Sequence, residues 1–460
     1  MRRIITALFL LTGVFPACYA QTVISQEVKD NVKSRVDNGI NTGIVVGIID
    51  GDKTEYYSYG VRSLTSKEPV NEHSVFEIGS ITKTFTGIIL ADRVIKGKMS
   101  LDDPLQKYLP AGVTAPTRNG ASIKLVNLSN HTSSLPRMPN NFNPANPANP
   151  FADYSEKQLY DFLKSYELPR DIGSQYEYSN YAAGLLGHIM ATSEGMAYEA
   201  LMIDVIAGPL GLKDTRITFT PNMKKNLAMG HSNGVQVENW DITTLAGAGA
   251  IRSTAVDMLK YVHANMGKVK SKLYPAMQLS HKNSRAEGAT PVVGLGWHTT
   301  ISPEMNIIWH NGGTGGYRTF AGFIKGGARG VVVLSNSTIS IDDIGLHLLN
   351  GKTPLTVSKP SVVASGHVEE ITVDTETLES YVGKYELAPG FILTVSRDGN
   401  QLKAQATGQG DFPVFPKTQN VFYYKIVEAQ LTFNKNGEGP VESVTLHQGG
   451  RDIVGKKMEK

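Results

Sequence analysis

Ser80 and Lys83 stand three residues apart in the tetrad Ser80-Ile81-Thr82-Lys83. On a helix that spacing places both side chains on one face. A serine at a helix start also meets amides that favour developing negative charge. A hydroxyl is a poor nucleophile until a neighbour removes its proton, and an adjacent amine or phenolate can do so. A chain of this length holds roughly one or two such tetrads by chance, and the plain alternative is an N-cap serine beside an exposed lysine. Here the tetrad is the only S-x-x-K, and Phe76-Glu77-Ile78-Gly79 leads into it.

Two further stretches carry usable chemistry. In Tyr178-Ser179-Asn180 the tyrosine can act as a base if a nearby ammonium such as Lys83 lowers its pKa. The Asn180 amide can bind a substrate carbonyl while hydrogen-bonding the lysine. The third stretch is His310-Asn311-Gly312-Gly313-Thr314-Gly315-Gly316, with four glycines in seven residues. Glycine there permits close backbone approach to a ligand, and such a strand could present an amide to an oxyanion. Taken singly, the bland readings are a turn with a half-buried ring and a flexible hairpin. Gly230-His231-Ser232-Asn233-Gly234 matches the G-x-S-x-G elbow. That motif needs a helix after it, whereas Val235 to Trp240 alternates like a strand. The histidines show no close metal-ligand pattern such as H-E-x-x-H, and neither a metal nor another cofactor is expected.

The elements that must position these residues can be read from periodicity. Gly43 to Asp50 and Thr54 to Val61 read as a hairpin across Gly51-Asp52-Lys53. Ile81 to Lys96 reads as a helix stopped by Gly97, followed by helical segments at Ser155 to Tyr166, Tyr181 to Glu194 and Thr254 to Asn265. Strands return at Asn306 to Trp309, Thr319 to Ile324 and Gly330 to Ser335. Strands early and late with helices between predict an α+β (α/β) domain, an antiparallel sheet flanked by helices with an inserted helical region. Met138 to Pro150, dense in Asn and Pro, reads as a long loop and a candidate rim of the site. Residues 351–376 read as a linker. Beyond it, at 377–460, evenly spaced short strands predict a small β-barrel or sandwich.

The chain has 460 residues, 41% hydrophobic and 19% charged, with a formal net charge of +3. That balance suits a globular protein of two or more units, and it offers no basic stripe for nucleic acid. Arg2, Arg3 and the apolar run Ile4 to Phe15 read as an export signal of residues 1–20, cleaved after Ala20. The apolar run is about a dozen residues, too short to span a bilayer, so no integral span is expected after cleavage. A periplasmic or secreted protein follows, with a catalytic unit at 21–350. Cys18 is the sole cysteine; lipid modification there is the minor alternative. Without it the mature chain has no thiol chemistry. The sequence does not reveal the oligomeric state.

In their joint order these motifs resemble the class C β-lactamase and D-Ala-D-Ala carboxypeptidase family of serine enzymes, which also includes esterases. The phrases Phe76 to Lys83, Leu101 to Pro104, His131 to Pro136, Pro209 to Thr215 and Gly294 to Trp297 agree with it. The C-terminal strands resemble a lipocalin-like domain attached to some members. The resemblance implies Ser80 as nucleophile, Lys83 and Tyr178 as its activating pair, and Asn180 as a contact for the substrate amide. It also implies an oxyanion hole from the Ser80 and Gly313 amides, with His310, Gly312 and Thr314 on the substrate-binding strand. His310 stands where β-lactamases usually carry lysine, which turns the expectation toward peptidases and esterases; Thr82 and Ser134 also replace more usual residues. The expected function is hydrolysis through an acyl-enzyme, on β-lactams or D-Ala-D-Ala-type peptides of peptidoglycan. The alternatives are a carboxylesterase and a slowly deacylating penicillin sensor.

Overall fold

A computed structural model describes residues 23–232, 234–356, 371–388, 391–407, 411–424, 429–437, 439–448 and 451–458. The expected export signal with Cys18, and residues 357–370 of the expected linker, lie outside the described residues.

A seven-stranded antiparallel sheet forms the frame of the larger unit. Its order is Lys53–Gly60, Gly43–Asp50, Arg329–Ser335, Arg318–Ile324, Asn306–Gly313, His298–Ile301, Val292–Val293. The early hairpin therefore pairs with the last long strand, with Val46 opposite Val333. The strand Gly43–Asp50 is buried on both faces, and its alternation sorts the two sides. Ile44, Val46 and Ile48 pack with Val28 and Val32 of helix Gln26–Asp37 and with Ile344 and Leu348 of helix Asp342–Asn350. Val45 and Ile49 join the main core, beside Leu259 and Val262 of helix Ala255–Asn265. The two outer helices were not expected from the sequence.

Helix Thr82–Ile95 is buried almost throughout, which is why its apolar residues occupy more than one face. Its threonines find partners inside: Thr84 Oγ1 donates to the Ile81 carbonyl, and Thr86 Oγ1 to that of Gly247. The expected helices appear at Glu156–Ser165, Asn180–Ser193 and Ala255–Asn265, each capped by the serine or threonine before it. His231–Ser232 pairs with Val235–Gln236, so the G-x-S-x-G stretch lies in a small hairpin and no elbow helix follows it.

The C-terminal unit is a closed barrel of eight antiparallel strands, from Gly383–Ala388 to Arg451–Lys457. Tyr385, Leu402, Val414, Phe422, Leu431 and Val444 fill its interior. Three strands, Gly383–Ala388, Asp411–Pro416 and Arg451–Lys457, escaped the sequence reading. Prolines in the middle one and glycines in the others break their pattern. The barrel leans on the larger unit: Phe412 belongs to the main core, and its ring lies 6.4 Å from that of Phe142.

Candidate active site

Ser80 sits on the tight turn Gly79–Ile81 that opens helix Thr82–Ile95. Lys83, one helical turn on, is 2% exposed. Its Nζ lies 3.0 Å from Ser80 Oγ, 2.8 Å from Asn180 Oδ1 and 2.7 Å from the Ala248 carbonyl. Burial, and then the Arg137 charge, holds this amine well below the ordinary lysine range. A neutral amine carries two N–H groups and one lone pair. Asn180 Oδ1 and the Ala248 carbonyl can only accept, so they take the two N–H groups. As an ammonium Lys83 Nζ donates to Ser80 Oγ as well; once it is neutral, the position left for its lone pair faces the serine hydroxyl, which can then donate to it. This arrangement can remove the Ser80 proton.

The segment 131–138 fixes the second motif. Asn180 N–H donates to the Arg137 carbonyl and Glu177 N–H to that of His131, at 3.0 and 2.8 Å. Ser179 Oγ donates to the Pro136 carbonyl at 2.6 Å and accepts from Ala182 N–H, capping helix Asn180–Ser193. Ser179 N–H donates to His131 Nδ1 at 3.1 Å. That bond requires an unprotonated Nδ1, and burial above all drives His131 well below the usual histidine range. The Tyr178 ring lies between these groups, 4.7 Å from Lys83 Nζ, 5.1 Å from the Arg137 guanidinium and 4.5 Å from the His131 ring. Sequence reasoning assigned no part to His131 or Arg137. His131 and Ser134 adopt φ of +62° and +66°, a backbone strain that residue types do not announce.

The glycine-rich strand Asn306–Gly313 runs directly under the serine turn. A Cβ on Gly312 would meet the Ile78 carbonyl oxygen at 2.0 Å, and one on Gly79 (φ +50°) would meet the Gly313 nitrogen at 2.8 Å. Only glycines permit this approach. Behind it, Glu77 is buried: its Oε1 accepts from Asn239 Nδ2 and Trp240 N–H, both at 2.9 Å, and from Arg252. Burial pushes this carboxyl up against the opposing pull of Arg252. Glu77 thus ties the serine turn to Trp240, a residue of the cleft wall.

A cavity of about 1550 Å³ opens over Ser80, Tyr178, Asn180, Gly312, Gly313 and Thr314. Pro147 and Ala148 of the Asn/Pro-rich loop also line it. Lys83 is buried behind these residues, and so is His310, which is 1% exposed with its ring 6.3 Å from Tyr178 and 5.0 Å from His298. Burial, His298 and Lys83 hold His310 well below the usual histidine range, and burial brings His298 down to about 4. His310 therefore presents no positive charge. Among the described residues no cluster of His, Cys, Asp or Glu could hold a metal, and no helix is long and apolar enough to cross a membrane.

A family profile described as Beta-lactamase matches residues 28–347. The chain belongs to the beta-lactamase family. A second profile, a domain of unknown function (DUF3471), matches residues 368–457. The D-alanyl-D-alanine-carboxypeptidase/endopeptidase AmpH of Escherichia coli K12 is 30% identical over 333 residues, covering 68% of this chain and 85% of that protein. Penicillin-binding protein 4* of Bacillus subtilis is 25% identical over 439 residues, 87% of this chain and 92% of its own length. A solved class C beta-lactamase superposes with a TM-score of 0.61 at 25% identity, over 70% of this chain and 95% of that one. Family and fold together make this protein a serine hydrolase, with the α+β architecture and the all-β C-terminal unit expected from its sequence.

Proposed function

We propose that the protein is an exported hydrolase that works through an acyl-enzyme on Ser80, acting on β-lactams or on D-Ala-D-Ala-type peptides. The observation that carries this reading is the buried Lys83 amine, 3.0 Å from Ser80 Oγ with both other contacts made to acceptors. Lys83 takes the hydroxyl proton as Ser80 Oγ bonds to the substrate carbonyl carbon. The Ser80 and Gly313 amides receive the oxyanion. As the C–N bond breaks, the proton passes through Lys83 and Tyr178 to the leaving nitrogen. Water then attacks the ester, gives its proton back along the same route, and releases Ser80. Asn180 holds both Lys83 and the substrate amide.

Export rests on residues 1–20, and the proposed layout is a catalytic unit at 21–350, a linker at 351–376 and a barrel at 377–460. The uncharged His310 supports a second reading, in which the acyl donor is a peptide or a short ester and β-lactam turnover is slow. The test is turnover by wild type and Ser80→Ala on a penicillin, a D-Ala-D-Ala peptide and p-nitrophenyl acetate. Wild type should turn over at least one of them and Ser80→Ala none; near-normal rates in the variant would end the proposal.

A further inference from the structure

The cavity over Ser80 does not end at the catalytic unit. At about 1550 Å³ it exceeds the roughly 300–1,000 Å³ common for small-ligand sites. Around the serine its walls are polar and charged, with Arg137, Arg170, Glu177 and Asn180. On the barrel side Phe391, Val414, Tyr424, Ala429 and Ile453 add apolar wall, beside the polar Asn400, Gln401, Thr407, Lys417 and Gln430. Phe391, Tyr424 and Ile453 are half-buried and pack against the barrel's own core. Phe391 is in phase with the inward Leu393 and Val395 of its strand, and Tyr424 with the inward Phe422. Tyr424 also packs against the main core, so this end of the barrel faces the catalytic unit. Toward the other end Tyr381 stacks on Phe433 at 4.2 Å. An eight-stranded barrel has room for its side chains or for one small ligand.

We propose that this barrel mouth is a subsite for an apolar chain carried by the substrate, whose scissile carbonyl lies at Ser80. The inference rests on Ser80 being the nucleophile. It assigns the substrate class as amphiphilic acyl donors, with a polar carbonyl end and an aliphatic tail. The tail gains by leaving water for Phe391, Tyr424 and Ile453. Continuity with the catalytic serine makes the substrate the occupant, in place of a separately bound ligand.

The test is kcat/KM of the full chain on p-nitrophenyl esters from acetyl to decanoyl, for wild type, Ile453→Glu and Phe391→Trp. The first variant puts a charge in the mouth and the second fills it. Wild type should gain about threefold or more for each two added carbons. Both variants should lose at least tenfold of that gain at decanoyl and keep the acetyl rate within twofold, which also reports intact folding. Ser80-dependent turnover with no length dependence, or a length dependence that both variants retain, would overturn the subsite and leave the nucleophile standing. Absence of Ser80-dependent turnover on every ester would overturn both.

Discussion

In the proposed mechanism the chemistry turns on one proton at Lys83. Desolvation disfavours the ammonium, so its folded pKa is depressed, and the amine is neutral above that value and charged below it. The sign for activity follows: kcat/KM should hold on the alkaline side and fall as pH drops through the folded pKa of Lys83. A pH profile without an acid limb would contradict the base assignment. Lys83→Arg puts a permanent charge in this pocket and offers no lone pair at working pH, and it should cost about 10²–10⁴-fold in kcat/KM. The Ser80–Lys83 pair was legible because both groups share one helical turn. The Asn180 contact to Lys83 was legible too, from the side-chain chemistry of Tyr178-Ser179-Asn180, although it lies 97 positions away. The Ala248 carbonyl was not, being a backbone atom with no residue signature. His131 stood within a quoted phrase, yet its bond to Ser179 N–H depends on a left-handed backbone that its identity does not reveal.

Elements meet at the serine turn through missing side chains. Gly312→Ala would drive a methyl into the Ile78 carbonyl oxygen, so the strand must back away from Ser80. The variant should lose about 1–3 kcal/mol of stability by overpacking, read as a lower urea midpoint. It should lose kcat disproportionately, because the Gly313 amide moves with the strand. Unchanged kcat in a folded Gly312→Ala variant would show that the strand has slack. Helix ends were read to within a residue or so, since Ser155, Ser179 and Thr254 cap as their types predict. The strand Asn306–Gly313 was expected to stop at Trp309. Glycine weakens the strand pattern, while pairing with Arg318–Ile324 carries the ladder on to Gly313.

For the molecule as a whole, buried histidines set the acid limit. His281, bonded through Nε2 to Asn265, and His298 have folded pKa values near 3 and 4, both depressed by burial. Their unfolded forms take up protons below about pH 6.5 while the folded forms do not. Stability is therefore lost as pH falls from 6.5 toward 4, by at most about 1.4 kcal/mol per unit per histidine. Thermal melts should drop across that window, and His281→Phe should flatten the slope; a flat wild-type curve would contradict the burial argument. At this scale the α+β frame and the all-β tail were legible, because strands early and late leave one simple pairing. Closure of the tail into a barrel, and its lean on Phe142, depend on contacts between distant residues that no local pattern encodes. The central claim, an acyl-enzyme on Ser80, is tested most directly by intact mass of wild type and Ser80→Ala through a time course with penicillin. The account predicts a mass gain of one penicillin on wild type, mapped to the peptide carrying Ser80 and absent from Ser80→Ala. Its decay or persistence then separates a hydrolase from a slowly deacylating sensor. The same gain on Ser80→Ala, or a gain mapped to another residue, would contradict the account.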